Sequence, residues 1–270
     1  RPSAVGDDLR RFGALTWTLA TTDFKLRFFG SALGYFWQLM RPILLFGVLY
    51  VVFTTVLPLG ADTKFYAAFL LMDIVLFTFF SEATMGAVGA VVDRENLVRK
   101  IQFPRMVIPA SVVLTAFFNL CVNFVAVLVF TLAQGVPITW RWLWLFPLVG
   151  ILAFFCTGVA MLLSALYVRF RDVRPIWEVV LQALFYASAV IYPVERLEGH
   201  PTLERLVTLN PITCILTQTR HELVDPTAPS AASSANGAVW LLIPAAIVVG
   251  SFALGLWYFN REAPRIAEEL

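Results

Sequence analysis

The sequence predicts an all-α integral membrane protein, and three observations carry that prediction. Mean hydropathy is +0.78 and only 14% of residues are charged, against roughly 25% in a typical soluble domain. Apolar runs long enough for a helix to cross a hydrocarbon core of roughly 30 Å recur along nearly the whole chain. Basic residues and tryptophans are sorted between alternate loops, as membrane topology requires.

Taken in order, six spans are expected, over 34–57, 65–91, 107–132, 143–167, 174–192 and 238–259. Fifteen of the 20 Lys and Arg fall near the start of the chain as far as Arg41, after the second span, from Arg169 to Arg174 at the junction of the fourth and fifth, and after the last. Basic residues accumulate in cytoplasmic loops, so both termini are expected to be cytoplasmic. Trp17, Trp37, Trp177 and Trp257 fall near the inner boundaries, and Trp140, Trp142, Trp144 and Trp240 near the outer ones. The domain plan is a cytoplasmic tail and amphipathic interface helix over 1–33, a six-span transmembrane domain over 34–259 and a cytoplasmic tail over 260–270. The first residue is Arg1 rather than Met, from which a short polar stretch ahead of it is expected. No cleaved signal peptide is read, because the first long apolar run starts only after Phe28.

Three segments depart from simple spanning. Leu9, Phe12, Leu15 and Leu19 recur at helical spacing among Arg10, Arg11, Asp23, Lys25 and Arg27, the pattern of a helix lying in the inner interface. Between 194 and 225, short apolar repeats flank Asn210-Pro211 and predict two helices too short to span, capping the outer mouth or re-entering the outer leaflet. Pro226 to Gly237, rich in Ala and Ser, reads as a flexible lead into the last span. Cys121, Cys156 and Cys214 have neither disulfide nor metal-ligand spacing.

A further irregular stretch, Val91 to Ala110 with a short helix expected over 93–104, places Arg94, Arg99, Lys100 and Arg105 between two strongly apolar spans. Asp93 suits an N-cap, Glu95 suits the first turn, and Pro104 ends the run. Contact with anionic lipid and docking of a cytoplasmic partner are both open readings.

The run DFKLRFFGSALGYFWQLMRPILLFGVLYVVF (Asp23–Phe53), the loop DRENLVRKIQFPRMVIP (Asp93–Pro109), the tract YVRFRDVRPIWEVVLQALFYASAVIYP (Tyr167–Pro193) and the pair Asn210-Pro211 occur in that order. Together they resemble the type-2 ABC exporter permeases of the O-antigen and teichoic-acid kind, the Wzm-type subunits. The resemblance implies a half-transporter that pairs with a second copy of itself and with two cytoplasmic ATPase subunits, in a bacterial plasma membrane, and that exports a lipid-linked glycan. It gives Arg94, Glu95, Asn96, Arg99, Lys100, Phe103, Pro104 and Arg105 to the coupling element that seats on the ATPase. The scarcity of Lys beside Arg and Ala hints at an actinobacterial galactan exporter. No nucleic-acid partner is expected, and membrane lipids are.

The chain supplies a matching negative. A phosphate-binding loop needs GxxxxGK[ST], and none of Lys25, Lys64 and Lys100 follows a glycine. ATP and Mg are therefore expected on a separate subunit; this chain is expected to bind no cofactor or metal and to catalyse nothing.

A sugar polymer needs an enclosed path, because unpaired polar groups cost several kcal/mol in hydrocarbon. Phe46, Tyr50 and Phe53 on the first span, with Phe185, Tyr186 and Tyr192 on the fifth, are candidate channel residues; ordinary packing is the alternative for each. Lys25, Arg27, Arg169, Arg171 and Arg174 are candidates to admit the pyrophosphate of a lipid-linked substrate, with plain lipid contact as the alternative. Arg41 is expected to pair with Glu82 or Glu178 and so hold spans together. Asp73 and Glu82, nine residues apart, should face opposite sides of their helix. Three rival functions are a membrane glycosyltransferase using Asp93 and Glu95, a proton-coupled carrier using Asp73 and Glu82, and a drug or antibiotic exporter of the same family.

Overall fold

The computed structural model describes residues 9–28, 34–57, 63–98, 104–197 and 199–269, and among them every element is helical. Helix α1 (Leu9–Phe28) is followed by α2 (Gly34–Val51), which continues into a wider turn over Val52–Val56, and then by α3 (Tyr66–Val88). Two single-turn pieces, α4 (Ala90–Asp93) and α5 (Glu95–Val98), precede the long α6 (Val107–Ala133) and α7 (Leu145–Arg169). A shorter α8 (Val173–Ala187) leads to α9 (Pro201–Thr208), α10 (Pro211–Thr219) and α11 (Ala231–Ser234), and α12 (Leu242–Glu269) closes the chain. Among the described residues, five stretches are long and apolar enough to cross a membrane: Phe36–Val56, Tyr66–Val88, Val107–Ala133, Trp140–Arg169 and Ala238–Glu262. The protein is a multi-pass membrane protein.

The core gathers around α3. Its apolar residues run round the whole helix, so no lipid-facing stripe stands apart from a core-facing one. Nearly every side chain from Tyr66 to Val88 is buried, against α2, α6, α7 and α8. Two contacts fix the direction of α8. Trp177 Nε1 donates to Thr84 Oγ1 at 3.1 Å, and the Phe185 ring meets Phe77 edge-on at 5.2 Å. Past the helix end, the Tyr66 hydroxyl donates to the Ile191 carbonyl at 2.7 Å. Residues 173–191 thus run antiparallel to α3, between a basic end at Val88 and Asp172 and a far end at Tyr66 and Ile191.

The expected span over 174–192 is a helix of 15 residues, about 22 Å at 1.5 Å per residue. It stops because Ala189 takes the left-handed region, with φ of 53°, so a turn over 188–192 completes the passage along α3. Trp177 also differs from expectation: its bond to Thr84 turns it inward rather than toward the headgroups.

Helix α1 crosses α6 near Thr115 and Phe118. Trp17 and Phe24 both meet Phe118 edge-on, at 5.4 and 5.7 Å, and Thr115 Oγ1 donates to the Ala20 carbonyl at 3.3 Å. Its buried centre is Thr16 and Ala20, flanked by half-buried Phe12, Leu15 and Leu19; Leu9, expected on that face, is 76% exposed. Helices α7 and α12 approach most closely, at Gly158 and Gly255, where Phe154 also stacks on Phe252 with centroids 4.1 Å apart. Small residues permit such backbone contact between membrane helices.

The far end is capped by α9, α10 and α11. Asn210 shows why the Asn-Pro pair sits there: its Oδ1 accepts from Ile212 N at 3.0 Å as an N-cap, and Pro211 occupies the first helical position. Its Nδ2 meanwhile donates to Ser188 Oγ at 2.8 Å, fastening α10 to the turn that ends α8. The segment from Pro226 to Gly237, expected to be a flexible lead, is instead folded onto this cap. Asp225 Oδ1 accepts from both the amide and the hydroxyl of Thr227, Gln218 Oε1 accepts from Ala231 N, and Ala228, Ala231, Ser234 and Ala235 are buried. Small Ala and Ser side chains serve here for close packing rather than for freedom. Desolvation opposes the Asp225 charge, but the two Thr227 hydrogen bonds and the charges of Lys64 and Arg220 hold its carboxyl below its ordinary pKa.

Candidate functional site: a linking loop, an inner cavity and a polar-faced helix

Three features of the bundle carry function-bearing side chains. The first is the loop at the basic end between α3 and α6. A single helix over 93–104 was expected; instead the chain forms α4 and α5, broken at Arg94, whose φ and ψ are −114° and 33°. Asp93 closes α4 rather than capping the helix after it, since its amide already donates to the Gly89 carbonyl. The break has a tertiary cause, because the Arg94 guanidinium is drawn to the Asp23 carboxylate of α1. Glu95 is half-buried and Asn96 exposed. Arg99, Lys100 and Phe103 lie outside the described residues. Beyond them Pro104 is buried and Arg105 half-buried, with burial lowering the Arg105 pKa from its ordinary value.

The second feature is a cavity of about 880 Å³ between the end of α1, the start of α2 and the last turns of α3. Arg27, Phe36, Trp37, Gln38, Arg41 and Glu82 are among its lining. The expected pairing of Arg41 with Glu82 or Glu178 is not seen among the described residues. Glu82 Oε1 accepts from Gln38 Nε2 at 3.1 Å, its Oε2 accepts from Asn119 Nδ2 at 2.7 Å, and Arg27 Nη1 stands 3.9 Å from Oε2. Gln38 and Asn119 were not singled out from the sequence. The available signal was polarity within an apolar run, which asks for a buried partner.

Of the five cations expected to gather at the basic end, Arg27 alone lines this cavity. Arg169 and Arg171 lie over Phe170 and Tyr167 at the turn into α8, and Lys25 and Arg174 are exposed. Arg41, which sequence reasoning had assigned to holding spans together, takes their place beside Arg27.

The third feature is the exposed face of α8. Arg174, Glu178, Gln182 and Tyr186, four residues apart, lie along one side of the helix and all four are exposed. The six candidate channel aromatics divide. Phe46 is buried, stacked on Tyr50 and edge-on to Phe130, while Phe53, Phe185 and Tyr192 are half-buried against the core. Tyr50, at 37% exposed, and Tyr186, at 59%, present their rings outward. Tyr50 and Tyr186 lie on α2 and α8, two helices that both pack on α3.

At the far end a charged group lies deep. Arg220 is 7% exposed, donates through Nη1 to Glu195 Oε2 at 2.8 Å, and covers the Phe69 ring at 4.9 Å. Asp73 is buried inside α3 on the opposite side from Glu82, as their spacing requires, and its Oδ2 has no hydrogen-bond partner among the described residues.

A bundle of long apolar helices with a polar-faced helix along it and an amphipathic helix strapped to a loop at one end is the build of a multi-pass membrane protein. A model of the family described as "ABC-2 type transporter" matches residues 14–223, and this chain belongs to that family. Among its relatives is an O-antigen export system permease protein RfbA from Myxococcus xanthus, 29% identical over 211 residues, covering 78% of this chain and 80% of that protein. Two proteins of the same description from Klebsiella pneumoniae are 24% identical over 210 residues and 23% identical over 256 residues. The first alignment covers 77% of this chain and 80% of the relative, and the second covers 93% of each. The resemblance read from the four sequence segments is therefore upheld, and the glycosyltransferase and proton-carrier readings are set aside.

Proposed function

We propose that this chain is the transmembrane subunit of an ATP-driven exporter that moves a lipid-linked polysaccharide out of the cytoplasm across the bacterial plasma membrane. Two copies enclose the path, and two cytoplasmic ATPase subunits hold the ATP and Mg. The relatives' shared description as O-antigen export permeases supports the substrate class. The single observation that carries the reading is the exposed face of α8. Arg174, Glu178 and Gln182 point away from their own subunit, and hydrocarbon cannot solvate them without a cost of several kcal/mol for each unpaired polar group. A wet conduit shared with a second copy accommodates them. Tyr186, continuing the same face, and Tyr50 offer apolar ring faces to a sliding sugar chain without demanding a fixed hydrogen-bond register.

Six crossings, with both termini cytoplasmic, follow in this reading. The antiparallel run of residues 173–191 along α3 supports the sixth crossing, and the distribution of Lys and Arg supports the orientation. The loop around residue 100 then meets the ATPase, and α9 and α10 lie over the outer mouth. Motion delivered at the loop reaches α1 through the Arg94–Asp23 ion pair.

Co-purification with an ABC ATPase and measurement of its stimulated hydrolysis test this function. The double substitution Arg99→Glu and Lys100→Glu is expected to abolish stimulation while the permease still folds; unchanged stimulation removes the docking role. In the same assembly, replacing Tyr50 and Tyr186 with Ala should reduce polymer export at least tenfold, equivalent to about 1.4 kcal/mol, with little change in assembly. Equal loss of both would make these rings packing residues.

A further inference from the structure

The cavity between α1, α2 and α3 brings two guanidinium groups, Arg27 and Arg41, against one carboxylate, Glu82. That carboxylate is already committed. Gln38 and Asn119, 7% and 1% exposed, donate one amide to each of its oxygens. Arg27 remains 3.9 Å away, beyond hydrogen-bonding distance, and Arg41 makes no ion pair among the described residues. Two planar, donor-rich groups are thus held at one cavity with their hydrogen-bonding capacity unspent. Phosphate oxygens match the guanidinium fork in pairs. Two cations against one anion leave a single positive charge, which a phosphodiester neutralises.

The rim says how such a ligand would be attached. Phe36 and Trp37 line the same cavity and are 54% and 53% exposed, at the basic end of the first long apolar helix. Tryptophan at such a boundary sits at headgroup depth, with hydrocarbon on one side and water on the other. A cationic floor beside an apolar rim at that depth fits a head that is anionic and a tail that stays in the membrane.

We propose that this cavity holds the phosphate or diphosphate ester head of a membrane lipid. Arg27 and Arg41 donate to its oxygens, and the tail leaves past Phe36 and Trp37. The inference rests on the exporter reading above, and it says where the anionic head of a lipid-linked substrate is held. An ordinary anionic phospholipid carries the same chemistry, so both sources are probed.

The test uses the full chain in phosphatidylcholine nanodiscs, with native mass spectrometry reading the binding of either a polyprenyl diphosphate or phosphatidylglycerol. Arg41→Gln is expected to weaken binding about tenfold, as loss of a charge-assisted pair implies. Glu82→Gln is expected to strengthen it, because the opposing charge goes while Asn119 Oδ1, without a hydrogen-bond partner among the described residues, can accept from the new amide. Tighter binding of the diphosphate identifies the substrate head as the occupant, and equal retention of phosphatidylglycerol identifies bulk lipid. If the Arg27→Gln and Arg41→Gln double variant binds both probes as the native chain does, or if Glu82→Gln weakens binding along with Arg41→Gln, the site is overturned. Should Arg41→Gln melt early, Arg41→Lys keeps the charge but loses the fork, and a several-fold weakening is then the expected result. Binding is read without the ATPase, so a failure here leaves the exporter reading standing, and a failure to couple leaves this binding unchanged.

Discussion

Replacing Gly255 with leucine is expected to prevent α7 and α12 from packing, the largest single-residue effect on this fold. A Cβ at position 255 would lie 2.1 Å from the Gly158 carbonyl oxygen, and one at position 158 would lie 2.6 Å from the backbone of Phe252. Both obstacles are backbone, so no side-chain rotation relieves them and the helices must separate. Separation undoes the Phe154–Phe252 stack and the seam on which α12 is held. The cost should exceed about 4 kcal/mol, in the range reserved for severe overpacking or lost cores. Thermal melting in detergent, read beside the yield of monodisperse protein, checks this. Gly250 on the same helix is the control: an added Cβ there meets nothing within 4 Å, and Gly250→Ala should leave the melting temperature unchanged or slightly raised by helix propensity.

Arg220→Met is expected to bring the second-largest loss, about 3–5 kcal/mol, the usual consequence of removing one partner of a buried pair. The guanidinium is 7% exposed, holds Glu195 at 2.8 Å, and is the positive charge that faces Asp73 inside α3. Methionine keeps contact with Phe69 but strands the Glu195 carboxylate. The loss should appear first as loosening of the far-end cap, read by accelerated hydrogen exchange over residues 201–235 while the amides of α3 remain protected. Adding Glu195→Gln to Arg220→Met should recover part of the stability, because the uncompensated charge is then gone. A melting temperature unaffected by Arg220→Met would show that this ion pair is solvated rather than buried.

The legible and illegible parts of this chain differ by length scale. The amphipathic helix, five of the six expected long apolar helices and the two short helices flanking Asn210-Pro211 appear where the sequence places them, because hydropathy and capping chemistry act within one element. The family, too, was readable from four segments kept in order. The site was readable only in part. Arg27 was singled out together with Arg169 and Arg171, which do not line its cavity; its cavity partners are Arg41, 14 positions along the chain, and Glu82 on the next helix. Gln38 and Asn119 carried a visible signal, polarity in an apolar run, without any indication that both would be aimed at one carboxylate. The break at Arg94 was invisible locally, since Asp93 and Glu95 obey the rules for starting a helix, and the Asp23 side chain that draws Arg94 away comes from 71 residues earlier.

What the residues by themselves determined was the environment of each segment: which stretches belong in hydrocarbon, which carry charge at an interface, and where helices start and stop. Those are free energies of transfer and of local hydrogen bonding, and they need no knowledge of neighbours. Only the tertiary structure decided which polar groups meet. It set Glu82 between two amides, ended α8 five residues before its expected end by placing Ala189 in the left-handed region, and folded the Ala- and Ser-rich stretch onto the cap. Each of these depends on which helices α3 packs against, and that choice arises from steric fit summed over the whole bundle rather than from any window of sequence.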